Sequence, residues 1–282
     1  MPTITDENKY KNRAMNFFKD RLSINLFTDE DQMKYVSSIL DPVEETNIIF
    51  SDSKAGTGKT SLAVYSALYL ILEKGEYDRL YYIRNNTSVI DVGYLPGTLT
   101  EKMEPFMTPF IEAVDNYGLK SERSQDLYRK ISGNLEEDDM DKSEKIIYTQ
   151  STFSVRGTDR SEKSIIIIDE AQNLTLNELR AVLTRPHDNC KIIVIGSSAQ
   201  VDNDKKLDHF GKERLIPFQL YQKHFKENNI GIGVHIANLT KNYRGKLSQH
   251  ADDIDRFIKE IELEENKITP IKDDLNKLEA IV

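Results

Sequence analysis

Residues 47–72 read NIIFSDSKAGTGKTSLAVYSALYLIL, and this stretch decides which fold the chain can adopt. An apolar run typical of a strand comes first, a glycine-containing loop follows, and apolar residues at helical spacing complete the segment. Gly56 and Gly58 can take backbone angles that other residues avoid, so that consecutive N–H groups point inward and attract an anion. The positive end of the following helix strengthens this attraction. The order strand, loop, helix therefore predicts a phosphate-binding loop.

The predicted loop and the start of its helix comprise Ser53, Lys54, Ala55, Gly56, Thr57, Gly58, Lys59, Thr60 and Ser61. Lys59 would place its charge on the β- and γ-phosphates of a nucleotide, and the Thr60 hydroxyl would ligate Mg²⁺. The strict motif has glycine where this chain has Ser53, a small residue that we expect to fit at some cost in backbone freedom. The alternative, a chance Gly-Lys turn, is disfavoured by the strand and helix on either side.

IIIIDEAQN, residues 165–173, supplies the second half of the predicted site. Its β-branched run is typical of a central parallel strand that is buried on both faces. Asp169, at the end of that strand, would hold Mg²⁺ directly or through water, and Glu170 would orient and deprotonate the attacking water. The segment IVIGSSAQVD follows the next strand, where Gln200 would sense the γ-phosphate or the water. The Asp–Glu pair is typical of hydrolytic ATPases, and the absence of an Asn-Lys-x-Asp guanine signature favours ATP over GTP.

Strands alternate with helices along the chain, which predicts an α/β fold with a parallel, doubly wound sheet. We expect a P-loop NTPase core of the RecA-like type, with three α/β/α layers and helical additions at both ends. Residues 1–45 would form an N-terminal helical segment, residues 46–245 the ATPase domain and residues 246–282 a C-terminal helical extension.

Polar residues before apolar periodic segments predict where three helices begin. The Thr28 hydroxyl would cap one helix, and Thr100 would cap another that is interrupted or shaped by Pro105 and Pro109. Thr175 and the glutamate three residues later would form a capping box before LRAVL.

Composition restricts the classes of partner. The chain has 282 residues and a net charge of −9, so it gains no general attraction to nucleic acid and would need a local basic patch to bind it. Cys190 is the only cysteine, which excludes an intrachain disulfide, and the five histidines lack metal-ligand spacing. Without a signal-peptide pattern or an apolar stretch of transmembrane length, we expect a cytoplasmic protein with no membrane partner.

Taken together, these motifs resemble the PhoH family of P-loop ATPases, whose core is similar to the first domain of superfamily 1 helicases. The resemblance spans about residues 25–250 and is carried by AGTGKTSLA, by GYLPGTLTEKMEPF (93–106), by VRGTD (155–159), by IIIIDEAQN, by LTR (183–185) and by the Gly-x-x-x-Gln-x-Asp of residues 196–202. FTDEDQMKYV (27–36) resembles the family's upstream glutamine motif, which implies that Gln32 reads adenine through its amide. One departure is Ser197, which stands where the family usually has Asp.

The resemblance also implies a ring-shaped homo-oligomer, for which a hexamer is one possible size. Such a ring would bind ATP near its subunit boundaries and act on RNA or single-stranded DNA. Some relatives carry a fused nuclease domain, but the ATPase core takes up most of this chain, so we expect no nuclease activity. Arginines in or near the motifs are candidates for a γ-phosphate contact, within one subunit or on its neighbour: Arg84, Arg156, Arg185 and Arg244. Arg244 lies in NYRG, where helicase-like ATPases often carry a phosphate-sensing arginine.

The sequence leaves three functions open. The first is ATP hydrolysis coupled to movement on, or remodelling of, nucleic acid. The second is a nucleotide-gated binding module with negligible turnover, which the departures at Ser53 and Ser197 keep in play. The third is a small-molecule kinase, which the Asp–Glu pair and the lack of an obvious acceptor-binding lid disfavour. ATPase assays with and without RNA or single-stranded DNA would discriminate among them.

Overall fold

A seven-stranded sheet forms the centre of the computed structural model, which describes residues 4–84, 99–120, 131–132, 146–152, 162–200, 215–228 and 231–252, together with residues 254, 257 and 261. The strands are β1 Ile48–Asp52, β2 Arg79–Arg84, β3 Ile131–Ser132, β4 Ile147–Ser151, β5 Ser164–Asp169, β6 Lys191–Gly196 and β7 Val234–Ala237. Their order is β3-β4-β2-β5-β6-β1-β7, and every neighbouring pair is parallel. The predicted α/β fold with a parallel P-loop NTPase core is confirmed.

Helices cover both faces of this sheet. They are α1 Ile4–Leu22, α2 Glu30–Leu40, α3 Lys59–Leu68, α4 Leu99–Lys120, α5 Leu176–Leu183, α6 Pro217–Glu227 and α7 Lys246–Asp252; a π-helical turn, Tyr69–Glu73, continues α3. One apolar core lies between the sheet and α1 to α4, and a second lies between the sheet and α5 and α6. In the part of the chain that the structure describes, no helix combines the length and the apolar character needed to cross a membrane.

The central strand β5 shows why the sheet is buried on both faces. All its residues are buried, and its isoleucines alternate between the two apolar cores: Ile165 and Ile167 face one, Ile166 and Ile168 the other. Because all strands run parallel, the carboxyl end of β5 lies at the same edge as the end of β1, with β6 between them. Ligands of open parallel sheets bind at this edge, so the fold brings the two predicted halves of the site to one place.

The start of α2 differs from the prediction. Asp29, and not Thr28, caps this helix, because its carboxylate accepts a hydrogen bond from the backbone N–H of Gln32 at 3.0 Å. Thr28 ends a preceding 3₁₀ turn and donates its hydroxyl to the carbonyl of Asn25 at 2.8 Å. Thr28 is thus already committed to the turn before the helix, and the carboxylate one residue later takes the capping role.

The prediction for α4 was also wrong. Thr100 lies inside this helix and does not cap it, and the helix continues through Pro105 and Pro109. Packing explains the continuity, because the helix buries an apolar face that includes Met107, Phe110, Ala113, Val114 and Tyr117. Tertiary burial of this kind stabilises a helix more than local propensity does.

The predicted capping box of α5 is confirmed. The Thr175 hydroxyl accepts a hydrogen bond from the Glu178 N–H at 3.3 Å, and the Glu178 carboxylate accepts one from the Thr175 N–H at 2.8 Å. The strands β3 and β4 and the helix α6 were not anticipated from the sequence. GYLPG (93–97) and VRGTD (155–159) lie outside the described residues.

The N-terminal helices pack into the same apolar core as the phosphate-loop helix. Phe18 of α1 and Val36 of α2 are fully buried in the cluster that contains Leu62 and Ala63 of α3. The division of the chain at residues 45 and 245 stays a prediction.

Candidate nucleotide-binding site

The loop between β1 and α3 has the backbone shape expected of a phosphate-binding loop. Gly56 and Gly58 have φ angles of 76° and 83°, in the left-handed region, and Gly58 is the N-cap of α3. A Cβ at Gly56 would lie 2.7 Å from Oδ1 of Asn242, so a side chain there would collide as well as strain the backbone. The loop thus directs the N-terminus of α3 at a space that suits phosphate groups.

Ser53 serves a purpose that glycine could not. Its N–H donates to the carbonyl of Gly196 at 3.1 Å, and its hydroxyl oxygen accepts a hydrogen bond from the N–H of Leu239 at 2.8 Å. Ser53 is 3% exposed, so these contacts are shielded from water. The serine therefore fixes the loop to the ends of β6 and β7, and the departure from the strict motif is explained structurally.

A cavity of about 740 Å³ opens beside the loop, and we call it the nucleotide cavity. Its volume lies in the range of about 300–1,000 Å³ that is typical of ligand pockets. Loop and helix residues that line it are Ala55, Gly56, Gly58, Lys59, Thr60 and Ser61. Other predicted residues that line it are Gln32, Asp169, Glu170, Gln200, Arg84 and Arg244. The fold thus gathers most of the predicted site around one space.

Some predicted residues lie elsewhere. Ser53, Lys54 and Thr57 line a different cavity. Arg185 follows α5 and is not among the described residues that line the nucleotide cavity. Arg156 lies outside the part of the chain that the structure describes.

Thr60 and Asp169 provide a pair of oxygen ligands suited to Mg²⁺. The Thr60 hydroxyl lies 3.3 and 3.4 Å from the two carboxylate oxygens of Asp169. Burial and the adjacent charge of Glu170 raise the pKa of Asp169, and a hydrogen bond from the Tyr82 hydroxyl, at 2.5 Å, opposes that rise. A hydroxyl and a carboxylate this close together are the hard oxygen donors that Mg²⁺ prefers.

Glu170 has an unusual backbone conformation. Its φ and ψ angles are 54° and 37°, which are left-handed and uncommon for a residue other than glycine. Such a conformation costs about 1–3 kcal/mol and persists only where neighbours hold it. Here the Glu170 N–H donates to Asp169 at 3.0 Å, and the Glu170 carboxylate accepts from Arg84 at 3.4 Å and from Gln172 at 2.5 Å.

Gln172 is a site residue that the sequence reasoning missed. Its amide N–H₂ donates to Glu170, and its amide oxygen accepts the backbone N–H of Ser197 at 3.0 Å. The side chain is 4% exposed, and it links the residue after β5 to the residue after β6. The signal available in the sequence was a polar amide in a turn between two apolar residues, Ala171 and Leu174, that belong to the core.

Tyr82 was missed as well. Its ring stacks on Phe110 with centroids 4.2 Å apart, and its hydroxyl reaches Asp169. Burial raises the pKa of Tyr82 far above the ordinary value, so the hydroxyl stays protonated and donates. The sequence signal was a tyrosine in an apolar strand, because a buried tyrosine hydroxyl usually has a hydrogen-bond partner.

Gln32 touches the phosphate loop directly. Its side-chain N–H₂ donates to the carbonyl of Thr57 at 2.9 Å, and the residue is 6% exposed. Tyr35, one turn further along α2, donates its hydroxyl to the carbonyl of Lys59 at 3.3 Å. The amide of Gln32 therefore supports the loop, and its predicted contact with adenine stays a prediction.

Residues 240–244, which we call the loop clamp, hold the loop from the other side. The Tyr243 N–H donates to the carbonyl of Gly56 at 2.7 Å, and the Asn242 amide donates to the carbonyl of Ala55 at 3.3 Å. The Asn242 amide oxygen also accepts the N–H of Arg244 at 2.8 Å, which directs the arginine into the lining of the nucleotide cavity.

The loop clamp is joined to the start of α2. The Tyr243 hydroxyl donates to Asp29 at 2.7 Å, and the Thr240 hydroxyl donates to Asp31 at 2.7 Å. Burial and the hydrogen bond to Asp29 raise the pKa of Tyr243 to about 12, so this donor persists across the neutral range. One side of the site thus consists of a helix start, the phosphate loop and the clamp, bonded to one another.

Lys59 and Gln200 bond to backbone carbonyls close to the nucleotide cavity. The Lys59 ammonium donates to the carbonyl of Lys54 at 3.1 Å, within the loop itself. Gln200 is exposed and donates its N–H to the carbonyl of Ser197 at 3.0 Å. Both side chains border the nucleotide cavity, and their roles toward a nucleotide stay predictions.

Comparison with known proteins agrees with this geometry. The chain is similar to Protein PhoH2 of Bacillus subtilis (33% identity, covering 57% of this chain and 34% of that protein), to the PhoH-like protein of Mycobacterium leprae (31%; 61% and 44%) and to Protein PhoH of Escherichia coli (28%; 63% and 45%). The matched region spans less than half of each relative's length. A solved structure of FlhF complexed with GTP/Mg(2+) covers 78% of this chain and 93% of its own, but its 9% identity and TM-score of 0.17 say nothing about function.

The family model described as PhoH-like protein matches residues 25–232, which is most of the chain. That range contains the phosphate loop, the acidic pair, Arg84 and Gln172, and the loop clamp follows it. This chain belongs to the PhoH family of P-loop nucleotide-binding proteins.

Proposed function

We propose that this chain hydrolyses ATP with Mg²⁺ and couples the reaction to binding or remodelling of RNA or single-stranded DNA. The observation that supports the proposal most is the placement of Glu170. Its carboxylate borders the nucleotide cavity, fixed between Arg84 and Gln172, while Thr60 and Asp169 lie together beside it. Left-handed backbone angles at residues other than glycine are concentrated at active sites and ligand-binding segments.

Each residue then has a chemical task. Lys59 would leave the Lys54 carbonyl to pair with the β- and γ-phosphates, and Thr60 and Asp169 would hold Mg²⁺. Mg²⁺ would neutralise charge on the phosphate oxygens. Glu170 would take the proton of the attacking water, and Arg244, from the loop clamp, would stabilise charge on the γ-phosphate.

The coupling to nucleic acid rests on the resemblance to the helicase core. The acidic net charge of −9 argues against general attraction to a polyanion, so contacts must be local and must involve groups other than a broad basic surface.

Steady-state ATPase assays with and without RNA or single-stranded DNA test the proposal. Lys59→Ala should abolish hydrolysis and weaken nucleotide binding, because the phosphates lose their fixed cation. Glu170→Gln should keep ATP binding and lower kcat by about 10²–10⁴-fold, because the amide cannot accept the proton. Lys223→Ala and Glu227→Gln, which alter an exposed pair on α6, are matched controls. Near-wild-type turnover in Glu170→Gln would show that another group is the base.

A second candidate is a nucleotide-gated binding module, and the ion pair between Arg84 and Glu170 favours it. This pair, at 3.4 Å, engages the carboxylate that hydrolysis requires. If the pair persists with ATP bound, nucleotide occupancy would change conformation or assembly without turnover. Tight ATP binding with no hydrolysis, unchanged by either nucleic acid, would establish this alternative.

A further inference from the structure

Ser23, which directly follows α1, has a left-handed backbone. Its φ angle is 59°, and among the described residues other than glycine only Ser23 and Glu170 have a positive φ. Both residues line the nucleotide cavity. A left-handed backbone is unfavourable for a residue with a Cβ, and it persists mainly at active sites and ligand-binding segments. The conformation of Ser23 therefore indicates a function at this cavity, as it does for Glu170.

A second helix end in the same chain shows that this backbone shape does not require a serine. Gly75 follows the π-helical turn that continues α3, its φ is 64°, and the N–H of the next residue donates to the carbonyl of Leu70 at 3.0 Å. The N–H that follows Ser23 donates in the same way to the carbonyl of Phe18, also at 3.0 Å. Glycine is the usual residue at such a helix end, because it has no Cβ. The serine at position 23 is thus explained by its side chain and not by the turn.

The Ser23 hydroxyl is accessible to a ligand. Ser23 is exposed, and its hydroxyl forms no hydrogen bond with the residues that the structure describes. Ile24, Asn25 and Thr28, from the same connection between α1 and α2, line the cavity as well. A serine hydroxyl both donates and accepts hydrogen bonds, so this wall of the cavity can bind a polar group of either kind.

The position of this wall indicates which part of a nucleotide it meets. The phosphate loop with Lys59 suits the phosphates, and Thr60 with Asp169 suits Mg²⁺. The connection between α1 and α2 remains, together with α4, which contributes Glu112 and Asn116 to the lining. A carboxylate such as that of Glu112 repels phosphate, so this part of the cavity suits the uncharged nucleoside.

We propose that the Ser23 hydroxyl forms a hydrogen bond with the nucleoside of the bound nucleotide. The inference rests on the proposed binding of ATP in the nucleotide cavity and adds a recognition residue to that site. Ser23 precedes residues 25–232, which the family model matches, so the contact is not one that family membership implies. It is also separate from Gln32, whose side-chain N–H₂ is bonded to the carbonyl of Thr57.

Isothermal titration calorimetry with Mg²⁺ and with ADP, 2′-deoxy-ADP or pyrophosphate tests the inference without any turnover. Ser23→Gly should bind ADP about threefold to tenfold more weakly, because one hydrogen bond is lost. Its affinity for pyrophosphate, which has no nucleoside, should be unchanged. Its Tm should rise by about 2–4 °C, because glycine relieves the strained backbone. Ser23→Ala, which lacks the hydroxyl but keeps a Cβ, should lose the same ADP affinity without the rise in Tm.

Gly75→Ser is the matched control. It introduces a left-handed serine at a helix end that is not among the described residues lining the nucleotide cavity, and a Cβ there meets nothing within 4 Å. This variant should lower Tm by about 2–4 °C and bind ADP like the wild type. A change in backbone strain at a helix end is thereby separated from a change in nucleotide recognition.

The proposal is overturned if Ser23→Gly and Ser23→Ala bind ADP like the wild type, or if they lose affinity for ADP and for pyrophosphate equally. A larger loss for ADP than for 2′-deoxy-ADP supports a contact with the ribose 2′-hydroxyl, and equal losses for the two support a contact with the rest of the nucleoside. Wild-type protein that binds no ADP would overturn the proposed ATP binding together with this inference. A failure to hydrolyse ATP would leave the binding measurements standing.

Discussion

Replacing Gln172 with alanine should slow ATP turnover without weakening nucleotide binding, because its side-chain amide bonds the Glu170 carboxylate and is itself held by the Ser197 N–H. The variant loses the N–H bond to Glu170, at 2.5 Å, and the acceptor for Ser197 N–H, at 3.0 Å. Arg84 remains as the other side-chain contact of the Glu170 carboxylate. The carboxylate thus stays in the site but samples more orientations.

The size of the effect follows from these contacts. A hydrogen bond to a charged group contributes about 1.5–3 kcal/mol, and a buried N–H without an acceptor costs about 1–3 kcal/mol. Part of each loss is recovered by relaxation, so we expect Gln172→Ala to reduce the free energy of unfolding by about 2–4 kcal/mol. For a chain of this size, that lowers Tm by about 5–10 °C. Since complete loss of a general base costs about 10²–10⁴-fold, a misoriented base should lower kcat by about 10–100-fold.

The assay is steady-state ATP hydrolysis as a function of ATP concentration, with thermal unfolding measured in parallel. KM should stay within about threefold of wild type, because Gln172 contacts the base and not the phosphate loop. Gln219→Ala is the control, since the Gln219 amide oxygen accepts the Ile216 N–H, at 3.2 Å, at the start of α6 and makes no hydrogen bond to Glu170 or Ser197 among the described residues. It should lower Tm with kcat unchanged. If Gln172→Ala also lowers Tm and leaves kcat within about twofold, Gln172 only stabilises the fold and the reasoning is refuted.

Further predictions concern the choice between ATP and GTP, the pH dependence of stability and the assembly of subunits. Gln32→Ala should reduce the preference for ATP over GTP. Unchanged selectivity would show that the Gln32 amide supports the loop through Thr57 and does not recognise adenine. Burial lowers the pKa of Lys191 to about 8, so between about pH 8 and 10.5 the unfolded chain holds a proton that the folded chain has released. Stability should therefore rise with pH across that window, by up to about 3 kcal/mol, and the rise should be absent in Lys191→Met when denaturant unfolding is compared at each pH. If the protein forms a ring in which Arg185 acts on the neighbouring subunit's nucleotide, mixing Arg185→Ala with Lys59→Ala should restore partial ATPase activity, because a mixed interface pairs an intact loop with an intact arginine. A fully active monomer in sedimentation would exclude catalysis between subunits.

The strands that carry the site were readable from the sequence because their side chains are uniform. Ile165–Ile168 had to be buried on both faces, which fixed β5 and placed Asp169 at its end. The phosphate loop was readable because its glycine spacing has a backbone meaning of its own. By contrast, β4, with the sequence IYTQS, mixes apolar and polar residues and gives no clear period. Its pairing with β2 in the fold, and not its own pattern, makes it a strand.

Side-chain partners that are distant along the chain could not be anticipated. Gln32 was assigned to adenine by resemblance, yet its amide reaches the carbonyl of Thr57, which is 25 residues away. The sequence assigned no role to Tyr243 of NYRG, and its bond to Asp29 joins residues that are 214 positions apart. A local pattern carries no information about such pairs, because they exist only after the sheet has brought the strand ends together. The same limit hid Gln172, whose partner Ser197 follows the next strand.

The loop clamp makes the maturation of the nucleotide site depend on a segment that is synthesised long after the phosphate loop. Asn242 and Tyr243 supply donors to carbonyls of the loop that are 187 residues earlier in the sequence. At synthesis rates of about 5–20 residues per second, those carbonyls would wait roughly 10–40 s on the ribosome for their partners. During that interval the strands β1, β2, β5 and β6 can already pair, because all of them precede the clamp. A nascent chain would thus carry a formed sheet with an unfinished loop, and competence to bind nucleotide would arrive only after residues 240–244 have been made.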